Sequence, residues 1–412
     1  STSEKTEIMD IRVLSPCTAQ KELKNIDVHP EGIRLMEPKT RHYCVKISGV
    51  NVKQANVIKQ ETLAVGADAA IPYSVLNLED KIVDIVIMAT VKQYRKLAEK
   101  LENQFFNLKK IGHEILKIIE NYEHPSAEFL VRGRKIEIKD FMIMGILNVT
   151  PDSFSDGGKF YGDVAIAVER ALEMESEGAS IIDIGGESSR PGAESLSEEE
   201  EIRRVIPVIK KLRAKTKSLI SCDTSRYSVA KAALEEGADI INDIYALRRD
   251  EKLIKLIADT GCGLVLMHMK GSPENMQKNP FYHDVIGEIS EFFRERIDVA
   301  VENGVNIQSI IIDPGIGFGK RVIDNLEIIS RLREFTCYAL PILLGTSRKS
   351  FIGKISNETN PEKRLPGTIA SCVAGYYGGA KIFRVHDVKD VFQALKVASS
   401  IEHYGKYEGS CS

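Results

Sequence analysis

Asn148, Asp183, Asp223, Asn242, His268, Asp313, the triplet Ser347 to Lys349, Arg384 and His386 share one feature: each closes, or comes shortly after, a short apolar run. The carboxylates Asp183, Asp223 and Asp313 accept hydrogen bonds, and the amides Asn148 and Asn242 both donate and accept, a mixture that reads the donor-rich edge of a heterocycle. Lys349, Arg384 and His386 supply positive charge and donors for an anion, Arg384 as a fork matched to phosphate oxygens. A ligand carrying both a heterocycle and phosphate would use both sets. A single Asp at a strand end is explained by its turn or by a helix cap; several such groups meeting at one rim are not.

The elements that must hold these residues recur as one unit after Phe141: a helical stretch closes on Gly, then an apolar strand ends in a polar residue. It is legible in "EGASIIDIGG" from Glu177, "EGADIINDI" from Glu236, "TGCGLVLMHM" from Thr260, "NGVNIQSIIIDPG" from Asn303 and "GGAKIFRVHD" from Gly378. Gly suits the left-handed residue that ends a helix, and unalternating apolar runs suit parallel strands buried on both faces. "FMIMGIL", "SLISCD" and "PILLG" complete eight strands, and Val164, Val168, Ala171 and Leu172 mark the apolar face of an intervening helix. Eight such units imply a (β/α)8 TIM barrel, which builds its active site at the C-terminal strand ends and binds phosphate near the last two. A doubly wound sheet would need GxGxxG after an early strand, whereas "GIGFGK" at Gly315 has another spacing and comes late.

Residues 1–135 read as a separate small α/β domain, with strands at "HYCVKIS" and "KIVDIVIMA", a helix at "NVKQANVIKQETLAVG" and helices from Val91 to about Tyr122. "NYEHPSAEF" from Asn121 reads as the linker to the barrel of 136–412. The four histidines of the front domain, His29, His42, His113 and His124, do not cluster in sequence, so a scaffold or oligomerisation role is favoured over a second active site.

The 412 residues suit two or three domains, and 56 Lys+Arg against 59 Asp+Glu give no basic excess for nucleic acid. Seven scattered cysteines without a CxxC pair read as reduced structural thiols. No apolar run approaches a membrane span and no leader pattern opens the chain, so no membrane partner and a cytoplasmic location are expected.

"MGILNVTPDSFSDGG", "DIGGESSRPGA", "DTS", "INDI", "DPGIGFGK", "GTSRKSFIG" and "RVHDV", in this order across about residues 138–402, resemble dihydropteroate synthase. The resemblance implies condensation of 6-hydroxymethyl-7,8-dihydropterin pyrophosphate with p-aminobenzoate to 7,8-dihydropteroate and pyrophosphate, an Mg2+-dependent step of folate biosynthesis, in an enzyme that often forms homodimers through barrel helices. It further implies that Asp223, Asn242, Asp313 and Lys349 line the pterin pocket, with Asp183 close by. Asn148 would hold Mg2+ and pyrophosphate, and Arg384 and His386 the phosphates. Phe154, Ser189, Arg190, Pro191, Phe318 and Ser350 would form the aminobenzoate site, and Asp156, Asp183, Arg190 and Lys349 would carry catalytic roles.

The family's mechanism is SN1-like: pyrophosphate leaves, a dihydropterin cation forms and the arylamine captures it, while loops at 150–158 and 188–192 close over the site. Ser189 stands where the family commonly has Thr, which bears on aminobenzoate affinity and leaves another arylamine open. The front domain lacks the motifs of the pterin pyrophosphokinase sometimes fused to this family. Two rivals are a pterin-dependent methyltransferase of the same barrel, which would have no pyrophosphate to hold, and a pterin-binding paralogue without catalysis.

Overall fold

The computed structural model describes residues 11–75, 82–149, 160–186, 196–272, 276 and 278–404, with backbone alone at Cys17 and at 160–163. Two compact units divide the chain, Ser1–Glu120 and Asn121–Ser412.

In the first unit, α1 (Pro16–Asn25) and α2 (Pro30–Thr40) precede β1 (His42–Asn51), α3 (Val52–Ala64), β2 (Asp68–Ala70), β3 (Ile82–Thr90) and α4 (Val91–Glu102), and α5 (Leu108–Glu123) carries the chain past the division. Neither α1 nor α2 is anticipated from the sequence, although each starts on a proline whose missing N–H costs a first turn nothing. The sheet order is β1-β3-β2 with antiparallel pairing, so the glycine that links helix to strand here does not produce the parallel arrangement of the barrel. Both α3 and α4 begin with a cap residue followed by Val-Lys-Gln: Asn51 and Gln54, then Thr90 and Gln93, bond reciprocally at the two helix starts. Tyr94 is fully buried and donates its hydroxyl to the Ile87 carbonyl (2.8 Å), which ties α4 to β3.

The second unit opens with a hairpin of β4 (Glu128–Val131) and β5 (Arg134–Glu137). The division after Glu120 falls where the expected linker begins at Asn121, and the hairpin precedes the boundary expected at 135/136. The hairpin goes with the barrel because Phe129 and Val131, 1% and 2% exposed, pack with Met144, Ile181, Leu219, Val265 and Ile311. Arg132 secures it: its N–H donates to the Gly261 carbonyl (2.6 Å) and its guanidinium to the carbonyls of Leu234 and Ala238 (3.0 Å each).

The barrel strands are β6 (Met142–Asn148), β7 (Ala179–Gly185), β8 (Leu219–Asp223), β9 (Ile240–Asp243), β10 (Gly263–Met267), β11 (Ile310–Asp313), β12 (Leu343–Leu344) and β13 (Ile382–Val385). Helices α6 (Phe160–Ser176), α7 (Glu198–Arg213), α8 (Tyr227–Glu235), α9 (Glu251–Thr260), α10 (Val285–Glu302) and α11 (Val322–Ser330) follow the first six; α12 (Ser350–Ser356) and α13 (Leu365–Tyr377) follow β12, and α14 (Val388–Glu402) follows β13. All eight strands are parallel in the order β11-β10-β9-β8-β7-β6-β13-β12, and the Ile312 N–H, donating to the Pro341 carbonyl (3.0 Å), closes the ring. The eight strands expected from the sequence are those observed.

Strand alternation divides each strand between two surroundings. Ile143, Ile182, Ile220, Ile241, Leu264, Ile310, Leu344 and Phe383 pack in the cluster that includes the surrounding helices. Met144, Ile181, Leu219, Ile240, Val265, Ile311, Leu343 and Ile382, with Met142 as a second residue of β6, form a separate interior layer against the hairpin. Two residues further along the inner face of β7, β8, β9, β11 and β13 come polar residues.

Phe129→Ala should lower unfolding free energy by about 3–5 kcal/mol, because the far end of the barrel cannot collapse around the lost ring. Urea unfolding checks this; a loss below about 1 kcal/mol would mean the hairpin does not seal the core.

Candidate active site

The period of two explains why polar groups converge. On β7, β8, β9, β11 and β13 the residues two after the inner apolar layer are Asp183, Ser221, Asn242, Asp313 and Arg384, with Asp223 one step beyond Ser221. Thus the same strands build a dry floor and a charged upper layer.

Arg384 unites that layer. Its Nε donates to Asp183 Oδ2 and its Nη2 to Asp223 Oδ2, both at 2.7 Å. Asn242 Nδ2 adds a third contact to the same Asp183 oxygen at 3.1 Å. Burial works against the guanidinium's charge, yet the two carboxylates outweigh it and raise its pKa. Burial pushes Asp223 up to about 7, with Arg384 opposing and Asp183 reinforcing the rise. Among the described residues two of the five guanidinium N–H groups are used, which leaves donors for a third acceptor.

Asp183 Oδ1 has no hydrogen-bond partner among the described residues, and neither does Ser221 Oγ on the paired strand, where Asp183 and Ser221 are in register. Both side chains are fully buried. An unpartnered acceptor in the interior is costly and marks a position where a ligand donor or ordered water is stabilised.

Asp313 Oδ1 accepts the Gly315 N–H at 2.7 Å, and burial raises its pKa. Gly315 lies at φ +68°, and a Cβ there would meet the His268 carbonyl oxygen at 1.9 Å, so only glycine lets the β11 loop pass the end of β10. Lys349, the cap residue of α12, places Nζ 4.1 Å from the Phe318 ring centroid, and burial pulls its pKa down to about 8. His386 follows β13; burial, then the positive Arg384 and Arg348, lower its pKa to about 3, so the imidazole is neutral. Asn148 ends β6, and among the described residues its amide makes no hydrogen bond. Ser350 opens α12 and is exposed.

Asp183, Asp223, Asn242 and Arg384 are therefore joined directly by hydrogen bonds, Lys349 meets Phe318, and Asp313 adds its negative potential to Lys349. Phe154, Asp156, Ser189, Arg190 and Pro191 lie outside the described residues. The sequence reading treats Arg384 as an anion holder alone and does not foresee its pairing with Asp183 and Asp223, because pattern identifies strand ends but not which strands lie near one another.

Sequence reasoning also passes over Lys320. Its buried Nζ donates to the carbonyls of Phe318 (3.1 Å) and His268 (3.3 Å) and lies 2.9 Å from His268 Nδ1. Burial lowers its pKa to about 7. The available signal was a lysine amid the glycines of "GIGFGK", where an exposed loop would be the ordinary setting.

An unfolded aspartate titrates near 4 and Asp223 near 7, so between these values the folded protein keeps a proton that the unfolded chain has lost. That contribution favours folding at low pH and fades as pH rises through about 7. Asp223→Asn should accordingly flatten the fall in stability between about pH 4 and 7 in urea unfolding followed by circular dichroism. An identical fall in both proteins would contradict the raised pKa.

Against this geometry, the family model for pterin binding enzymes matches residues 144–386. The dihydropteroate synthase of Synechocystis sp. is 46% identical over 259 residues, covering 63% of this chain and 89% of that protein. The Xanthomonas albilineans dihydropteroate synthase structure with 4-aminobenzoic acid superposes with a TM-score of 0.63 at 41% identity, over 68% of this chain and 99% of that one. A probable bifunctional folylpolyglutamate synthase/dihydropteroate synthase of Haloferax volcanii is 36% identical over 369 residues, covering 87% of this chain and 43% of that protein. With strand ends, motifs and overall likeness in agreement, the chain belongs to the dihydropteroate synthase family of pterin-binding enzymes.

Proposed function

We propose that the barrel performs its condensation by an SN1-like route in which pyrophosphate departs before the arylamine attacks. As a dihydropteroate synthase, the chain joins 6-hydroxymethyl-7,8-dihydropterin pyrophosphate to p-aminobenzoate, giving 7,8-dihydropteroate and pyrophosphate in folate biosynthesis. The observation that carries the mechanism is the Arg384 bridge: one guanidinium spans Asp183 and Asp223 and retains further donors.

In this reading Asp313 and Asp223 accept the pterin's ring N–H and amino donors, Asn242 pairs as a mixed amide, and Lys349 faces ring acceptors. Arg384 and the neutral N–H of His386 hold the pyrophosphate, into which the electron pair of the breaking C–O bond passes. The cation left on the pterin methylene lies near buried Asp183, whose unpartnered oxygen supplies negative potential without forming a covalent bond. The arylamine then forms the C–N bond and sheds a proton. Phe318 and Ser350 are assigned to the aminobenzoate, with Phe154, Ser189, Arg190 and Pro191; Asp156 and Arg190 act from the loops.

The amide oxygen of Asn148 is a hard donor of the kind Mg2+ takes, and Mg2+ commonly binds through one or two protein oxygens plus substrate phosphates. Asn148 would hold it together with the pyrophosphate, where it would neutralise charge on the leaving group.

No helix among the described residues is long and apolar enough to cross a membrane. We place the protein in the cytoplasm as a homodimer without nucleic-acid partners; exposed Val397, Ile401 and Tyr404 on and after α14 support an interface between copies.

Purified protein with Mg2+ and dihydropterin pyrophosphate should release pyrophosphate and form dihydropteroate when p-aminobenzoate is added. Pterin binding without amine-dependent turnover would instead indicate another arylamine or a non-catalytic paralogue.

A further inference from the structure

Ser347 follows β12 and is 6% exposed. Its Oγ accepts the backbone N–H of His386 at 3.2 Å and lies 3.0 Å from Nδ1 of the same residue's ring. The backbone N–H can only donate, so the serine oxygen serves there as acceptor. Its own proton then needs an acceptor, and among the described residues Nδ1 is the partner within reach. The opposite tautomer would place two donors on Oγ and leave a buried hydroxyl proton unsatisfied.

We propose that Ser347 is a positioning residue that locks His386 as the Nε2–H tautomer, so that a neutral N–H donor, and not a lone pair, is presented to the pyrophosphate. The idea rests on the assignment of His386 to pyrophosphate made above. The lowered pKa of His386, with Arg384, Arg348 and Lys349 as its positive neighbours and Asp387 as its negative one, agrees with a ring that stays neutral.

The neighbouring residues fix this geometry. Arg348 grips Asp387 with Nε to Oδ2 at 3.0 Å and Nη2 to Oδ1 at 2.5 Å, so two consecutive residues after β12 are latched to two consecutive residues after β13. Arg348 holds φ +58°, a conformation costly for a residue with a side chain, and is also tied by Thr368 Oγ1 to its N–H (3.0 Å) and by Arg364 to its carbonyl (3.0 Å). Lys349 comes next in the chain, so the latch sets a pterin-side lysine and a phosphate-side histidine together. In the wrong tautomer the ring would aim an acceptor at phosphate oxygens, which repels; orienting partners of this kind commonly change affinity by about 10–100-fold.

The test combines nitrogen NMR of the wild-type imidazoles, with His386 assigned by loss of its signals in His386→Gln, and calorimetric titration of inorganic pyrophosphate with Mg2+. Wild type should carry its proton on Nε2. Ser347→Ala should bind pyrophosphate about tenfold more weakly while pterin affinity and melting behaviour stay near wild type, and Ser347→Thr, which keeps the hydroxyl, should restore binding. A wild-type proton on Nδ1, or equal pyrophosphate affinity in wild type and Ser347→Ala, overturns the proposal. A correct tautomer in a wild-type protein that binds no pyrophosphate overturns the positioning role through its parent assignment, an outcome separable from the first because the NMR result stands alone.

Discussion

One cation between two carboxylates governs the site. Arg384, Asp183 and Asp223 lie where water is largely excluded, and each is tolerable there because the others compensate it. Removing either carboxylate leaves Arg384 half-compensated, and removing Arg384 leaves two anions facing each other in the interior. The arrangement also explains Asp223: burial alone would hold it protonated, Arg384 pulls it back, and the balance falls near neutrality. Lys349, displaced downward to about 8 by the same burial, sits in the same range. A site with both groups poised near neutral pH can meet a ligand's donors and acceptors with small rearrangements of protons.

The barrel exists to hold those charges apart from the floor. Strand alternation sends Ile181, Leu219, Ile240, Ile311 and Ile382 into an apolar layer and, two residues on, turns Asp183, Ser221, Asn242, Asp313 and Arg384 toward the site. Phe129 and Val131 of the hairpin plug the opposite end, which is why the barrel unit begins well before its first strand. The Haloferax volcanii match is too long for residues 121–412 to hold alone, so the likeness extends into the first unit, whose two Val-Lys-Gln helix starts give it an internal regularity of its own.

Much of this was legible in the sequence because it depended on local pattern. Glycine at the end of the preceding helix marked five of the strands, and apolar runs alone marked the other three, including β12, where only Leu343 and Leu344 satisfy strand geometry. What escaped depended on contacts between residues far apart in the chain. Asp183 and Arg384 are paired over the intervening β6, Lys320 is buried by a loop that folds back on β10, and Ser347 meets His386 through two separate strand ends. The hairpin escaped for the same reason: Glu128 and Phe129 fall in the stretch that reads as linker, and the interior that Phe129 fills lies far along the chain.

The central claim is that Arg384 acts through fork geometry, bridging both carboxylates while offering further N–H groups to the pyrophosphate, and the charge-conserving substitution Arg384→Lys separates geometry from charge. Titrating inorganic pyrophosphate with Mg2+ into the two proteins is the direct measurement. An ammonium gathers its donors on a single nitrogen and lacks the planar fork, so the account predicts at least about tenfold weaker binding by the lysine variant. Equal affinity would mean that positive charge alone suffices and would contradict it.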